Sequence, residues 1–126
     1  MGQAYTISEI IEKVDELEPN QYAAEDKMEW LSALDGQLFE EVIQTHFQPI
    51  RETFTEYSGE DDELLVPFPY GADLYCWYLQ AKIAAENAEA AKYQINSAMY
   101  NQARQEWVDY YNRTHTPCPK SPRFWF

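Results

Sequence analysis

Residues 72–113 contain neither proline nor glycine, and their apolar side chains recur at helical spacing. One phase of this pattern runs through Leu74, Tyr78, Ala81, Ala85, Ala88, Ile95 and Met99. An unbroken helix of about 42 residues would be about 63 Å long, which far exceeds a globule of 126 residues. The run therefore predicts a turn or sharp kink near Asn87 that gives two antiparallel helices. The alternative is one long helix whose exposed part is covered by another subunit.

Two helices are predicted before this run. Thr6 and Glu9 fit a capping box, and the apolar pattern behind them predicts a helix over 7–18. A second, acidic helix is predicted over 23–45, with an apolar face formed by Trp30, Leu31, Leu34, Leu38 and Val42 or Ile43. Gly36 lies inside this helix and marks either close packing against another helix or a kink.

The remaining segments are not helical in pattern. Residues 46–71 predict a loop with room for short strands, and Pro67 and Pro69 keep its last part extended and packed. Residues 114–126 hold three prolines and end on Phe124, Trp125 and Phe126, so this tail either folds back on its own domain or inserts into a partner. We therefore expect an all-α, four-helix domain over 1–113 and an extended tail over 114–126.

Charge divides the chain into two unequal halves. Residues 1–66 carry 17 Asp and Glu against 3 Lys and Arg, whereas residues 67–126 carry 5 against 6. Sequence-independent binding to nucleic acid needs clustered Lys and Arg, so the acidic half makes DNA recognition improbable. No stretch of 18 apolar residues predicts a helix across a membrane.

The residue types that carry catalysis or bind metals are scarce. His46 and His115 are the only histidines, and neither belongs to a zinc or di-metal motif. The acidic run 60–63 lacks the alternating ligands of a calcium loop and predicts an exposed loop. Cys76 and Cys118 predict one buried thiol and one tail thiol. We therefore expect no catalytic residue, cofactor or metal site, and no enzyme.

Aromatic side chains exceed what one apolar stripe on the last two helices would bury. Two readings stay open: a tyrosine-rich core with polar tips at the surface, or a subunit interface, where Tyr, Trp and Arg are enriched. The residues proposed for an interface with a subunit or partner are Tyr70, Tyr100, Trp107, Tyr111, Arg123, Phe124, Trp125 and Phe126.

The order of these elements resembles the small helical head–tail connector, or adaptor, proteins of tailed bacteriophages. The resemblance rests on the helix after Thr6, the acidic helix around 25–31, the proline segment 64–70 and the stretch 107–115. It covers most of the chain. The long fourth helix and the aromatic tail depart from the broader family.

The resemblance implies a structural subunit that forms or joins a ring below the portal protein and receives the next neck or tail-completion protein. Such a subunit would belong to the neck of the virion, and to the host cytoplasm during assembly. A negative lumen would keep the passing DNA from sticking, because like charges repel. The residues proposed to line it are Glu25, Asp26, Glu29, Glu40, Glu41, Glu60, Asp61, Asp62 and Glu63.

A second hypothesis is a small acidic regulatory protein that mimics DNA and occupies a basic enzyme. The acidic first half of the chain is its support. The two hypotheses differ in stoichiometry, because a mimic would be monomeric or dimeric whereas a connector joins a ring.

Overall fold

A computed structural model describes residues 3–46 and 54–115. Within these ranges the chain is all-helical, and the helices are α1 (Ile7–Leu17), α2 (Ala24–Glu41), α3 (Gly71–Glu86) and α4 (Ala90–Thr114). This confirms the predicted four-helix domain. The described part of the loop forms no strand, and only an isolated bridge joins Thr6 to Glu63. None of the described helices is long and apolar enough to cross a membrane.

The start of α1 is capped by its own side chains and by the loop at 60–62. The Thr6 amide donates to the Glu9 carboxylate at 2.8 Å, and the Glu9 amide donates to the Thr6 hydroxyl at 3.3 Å, so the predicted capping box is confirmed. The carbonyls of Asp62 and Glu60 accept from the amides of Ile7 and Ser8 at 3.1 and 3.0 Å. The loop thereby satisfies helix-start amides that would otherwise lack partners.

Helix α2 ends at Glu41, four residues before the predicted end, and a 3₁₀ turn over Ile43–Thr45 follows. The Thr45 hydroxyl and His46 Nδ1 both lie within 2.7 Å of the Val42 carbonyl, which a continuing α-helix would offer to the His46 amide. That amide bonds Ile43 instead, so side chains compete with the helix ladder and end it. Gly36 makes no break, because α2 runs through it.

The turn between α3 and α4 confirms the prediction near Asn87. Asn87 ends α3, Ala88 adopts the left-handed conformation at φ 59°, and α4 begins two residues later. The ring pairs Tyr70–Tyr110 and Tyr78–Tyr100, at 5.0 and 5.3 Å, show that the two helices run antiparallel.

The single apolar phase predicted across this turn is wrong in its second half. Ile95 is 62% exposed and Met99 is 36% exposed, while α4 buries Asn96, Ala103 and Trp107. The left-handed residue interrupts helical geometry, so the register of α3 does not carry into α4. Among the described helices, α3 is central: it packs against α1, α2 and α4, whereas α4 lies alongside α3 alone.

Candidate functional site

The acidic residues of α2 separate into two groups. Glu25, Glu29 and Glu40 lie on one exposed face, because four residues and eleven residues are each close to whole helical turns. Asp26 is exposed beside them. Glu41 points toward α4 and pairs with Arg104 at 2.9 Å. The structure therefore brings together four of the five proposed lumen residues of α2. The fifth, Glu41, forms an ion pair between α2 and α4 instead.

The acidic run 60–63 lies against the start of α1. Glu60, Asp61 and Glu63 are exposed, as expected for a solvated loop, and Asp62 is half-buried. The Asp62 carboxylate accepts from the amides of Ser58 and Gly59 at 2.8 and 3.1 Å, and these bonds lower its pKa. Across residues 3–46 and 54–115, no group of three or more metal-ligating side chains could hold an ion.

Two grooves follow the outer face of α2. The first, of about 340 Å³, is bordered by Glu25, Glu29 and Glu56. Met28, Ser32, Ala33 and Tyr57 also line it. The second, of about 440 Å³, is lined by Gly36, Gln37, Phe39, Glu40, Gln44 and Phe54. Sequence reasoning missed the grooves and Glu56, because they exist only where the loop returns to the helix.

A buried carboxylate fixes that loop in place. Asp35 is fully buried and accepts from the hydroxyls of Tyr57 and Tyr75 at 2.5 and 2.6 Å, and from the Leu65 amide at 3.1 Å. The Tyr75 hydroxyl in turn accepts from the Val66 amide at 2.9 Å. This Asp35 cluster, defined as Asp35, Tyr57 and Tyr75, joins α2, α3 and the segment 57–66. It thereby shapes the wall of the first groove.

Burial dominates the electrostatics of the Asp35 cluster. Desolvation raises the pKa of Asp35 to about 6, although the bonds from both tyrosines and the Leu65 amide oppose the rise. Burial and the nearby Asp35 charge raise the pKa of both tyrosines, which therefore stay protonated as donors. The sequence carried a signal for this cluster, because Asp35 falls on the apolar face of α2 between Leu31 and Leu38.

The residues proposed for an interface fall into three groups. Trp107 is 2% exposed and belongs to the core of the domain, so this residue stabilises the fold and presents no surface to a partner. Tyr70, Tyr100 and Tyr111 are half-buried, and each packs against another ring. Arg123, Phe124, Trp125 and Phe126 lie outside the described residues, as does Cys118, whereas Cys76 is buried as expected.

The end of α4 is fastened to the end of α2 by an aromatic cluster. Buried His46 lies 2.8 Å from the Asn112 side-chain oxygen through Nε2, and its ring meets Tyr111 edge-on at 4.7 Å. Tyr111 stacks on His115 at 3.7 Å. His115, the last residue that the structure describes, therefore lies at the end of the bundle where α2 also ends.

An exposed stripe on α4 went unrecognised in the sequence. Its residues recur every three or four positions along one flank of the helix, beside the face that packs against α3. They are Ile95, Met99, Gln102, Glu106 and Tyr110, flanked by Lys92 and Arg113.

The described chain is thus a small helical domain with two distinct surfaces. One is the acidic, grooved face of α2, and the other is the exposed stripe on α4. Comparison of the chain with protein-family models, with curated proteins and with solved structures finds no match in any of the three.

Proposed function

We propose that this chain is a structural subunit of a bacteriophage neck, a head–tail connector that forms or joins a ring below the portal. In this proposal the chain works through surfaces and not as an enzyme. Its partners are the portal protein, the next neck protein and further copies of itself. Its place is the virion neck, and the host cytoplasm during assembly.

The observation that carries the proposal is the separation of charge between two helices. Helix α2 holds six acidic residues against one lysine, and Glu25, Glu29 and Glu40 share its outer face. Helix α4 holds two acidic residues against three basic ones. A ring subunit needs such a difference, because its lumen must repel DNA while its sides must approach other acidic copies.

The proposal is tested by expressing the chain with the portal protein encoded in the same phage genome. We expect the chain to co-sediment with portal rings and to appear as a layer beneath them in electron micrographs. A chain that stays unbound would contradict the proposal. A one-to-one complex with a basic DNA-binding enzyme would favour the DNA-mimic hypothesis.

The lumen makes a separate prediction. Even at low salt, where basic proteins bind most strongly, the chain should leave double-stranded DNA unshifted in a mobility assay. Retarded DNA at moderate salt would contradict a role in lining a channel.

A further inference from the structure

The exposed stripe on α4 has the composition of a contact surface. Ile95 and Met99 lie one turn apart, with no other described helix alongside them. Polar residues continue the stripe to Tyr110, and Lys92 and Arg113 flank it. Large exposed apolar side chains aligned along one helix face are typical of helix-in-groove recognition.

The outer face of α2 complements this stripe in shape. Its outward positions are Glu25, Glu29, Ala33, Gly36 and Glu40, again three or four residues apart; four are exposed, and Gly36 is half-buried beside the Phe54 ring of the same copy. The two smallest of these side chains lie at the centre, where the two grooves meet α2. Small residues at a helix face let large side chains of another helix approach closely.

We propose that α4 of one copy packs into the grooves along α2 of a second copy. Aligning Ile95 and Met99 with Ala33 and Gly36 in parallel orientation brings Lys92 beside Glu29 and Gln102 beside Glu40. Lys92 lies 3.2 Å from Glu18 and 3.7 Å from Glu89 of its own copy, and because its side chain stays 53% exposed, it can also approach a carboxylate of another copy. Charge favours the pairing, because the more basic helix meets the more acidic one.

The geometry of one copy agrees with a cyclic arrangement. The Tyr22 hydroxyl donates to Asn87 near the starts of α2 and α4, and His46 contacts Asn112 near their ends. Helices α2 and α4 therefore run in the same direction. Rotation about an axis along that direction brings α4 of one copy parallel to α2 of the next, which is the heterologous contact that closes a ring.

A symmetric contact between two α4 helices fits less well. The antiparallel alignment that places Ile95 opposite Tyr110 also places Lys92 opposite Arg113 of the other copy, which sets like charges together. The heterologous contact avoids that repulsion.

The contact area indicates weak association between two free copies. The stripe is about 32 Å long on a helix about 10–12 Å across, so each face offers about 350 Å². Stable pairs bury about 800 Å² per partner. In a closed ring every copy contributes its α4 stripe to one neighbour and its α2 face to the other, so the assembly is more stable than an isolated pair. The inference rests on the proposed function only for the closing of the ring.

The test uses sedimentation velocity of the full chain at concentrations up to about 1 mM. The wild-type mass should rise with concentration. Ile95→Glu on the α4 face and Ala33→Glu on the α2 face should each weaken association at least about tenfold, because each buries an unpaired carboxylate. Leu17→Glu is the matched control, since Leu17 is 59% exposed on α1, and it should associate as the wild type does.

Mixing the two defective variants identifies the geometry. Each retains one intact face, so an equal mixture of Ile95→Glu and Ala33→Glu should form dimers and nothing larger. The proposal is overturned if the wild type stays monomeric, if Ala33→Glu associates normally, or if the mixture stays monomeric. It is also overturned if deleting residues 116–126 abolishes association, because the tail would then be the occupant.

Portal binding distinguishes this inference from the proposed function. Copies that fail to associate but still bind portal rings would overturn the α4–α2 contact and leave the connector role standing. Copies that associate through these faces but do not bind portal rings would overturn the connector role and leave the α4–α2 contact standing.

Discussion

Asp35→Asn removes the charge of a buried carboxylate while nearly keeping its shape. The folded-state pKa of Asp35 is raised from 3.8 to about 6, and burial is the leading cause. Two units of pKa correspond to about 3 kcal/mol of free energy. Because the folded pKa lies above the unfolded one, the protonated form favours folding, and this stability is lost as pH rises through about 6.

We therefore expect the free energy of unfolding of the wild type to fall with pH more steeply than that of Asp35→Asn. Between about pH 4 and about pH 8 the excess fall should be about 2 kcal/mol. Repulsion among surface carboxylates acts on both proteins alike and cancels in the difference.

The measurement is urea unfolding followed by far-ultraviolet circular dichroism across that pH range. Asp26→Asn, at an exposed position on the same helix, should give a curve parallel to the wild type. Parallel curves for the wild type and Asp35→Asn would refute the reasoning, because burial would then impose no net penalty on the carboxylate.

Three further predictions follow from the backbone and the tail. A Cβ at Gly71 would lie 2.1 Å from the Val66 carbonyl oxygen, so Gly71→Ala should lower the free energy of unfolding by about 2–3 kcal/mol in urea melts. Ala88 holds a left-handed conformation that glycine adopts without strain, so Ala88→Gly should raise the free energy of unfolding by about 1 kcal/mol in thermal melts. A lower free energy of unfolding would contradict the left-handed conformation of Ala88. Deleting residues 117–126 should leave the helical dichroism signal unchanged, because α4 ends at Thr114. If the connector proposal holds, the same deletion abolishes assembly onto portal-bearing heads.

Local sequence signals predicted the helices well. The capping box of Thr6 and Glu9 depends on four consecutive residues, so its geometry follows from the sequence itself. The turn near Asn87 followed from length alone. The early end of α2 did not, because it depends on Thr45 and His46 competing for one carbonyl.

Features that depend on distant residues were missed. The phase of α4 changed at Ala88, so Ile95 and Met99 became exposed although their spacing continued that of α3. Tyr57 reaches Asp35 across 22 positions, and nothing local to either residue specifies that contact. The acidic face of α2 was predictable from periodicity, whereas the grooves beside it required the returning loop.

The one-sided packing of α4 has a consequence for the order in which the domain opens. Only three of its 25 residues are buried, a smaller share than in any other described α-helix, so local unfolding of α4 exposes less of the core than unfolding of its neighbours would. Amide hydrogens of α4 should exchange with solvent through openings that leave α1, α2 and the Asp35 cluster intact. A second copy lying along the exposed stripe would slow that exchange, so the helix that is least protected in a lone subunit would gain the most protection from assembly.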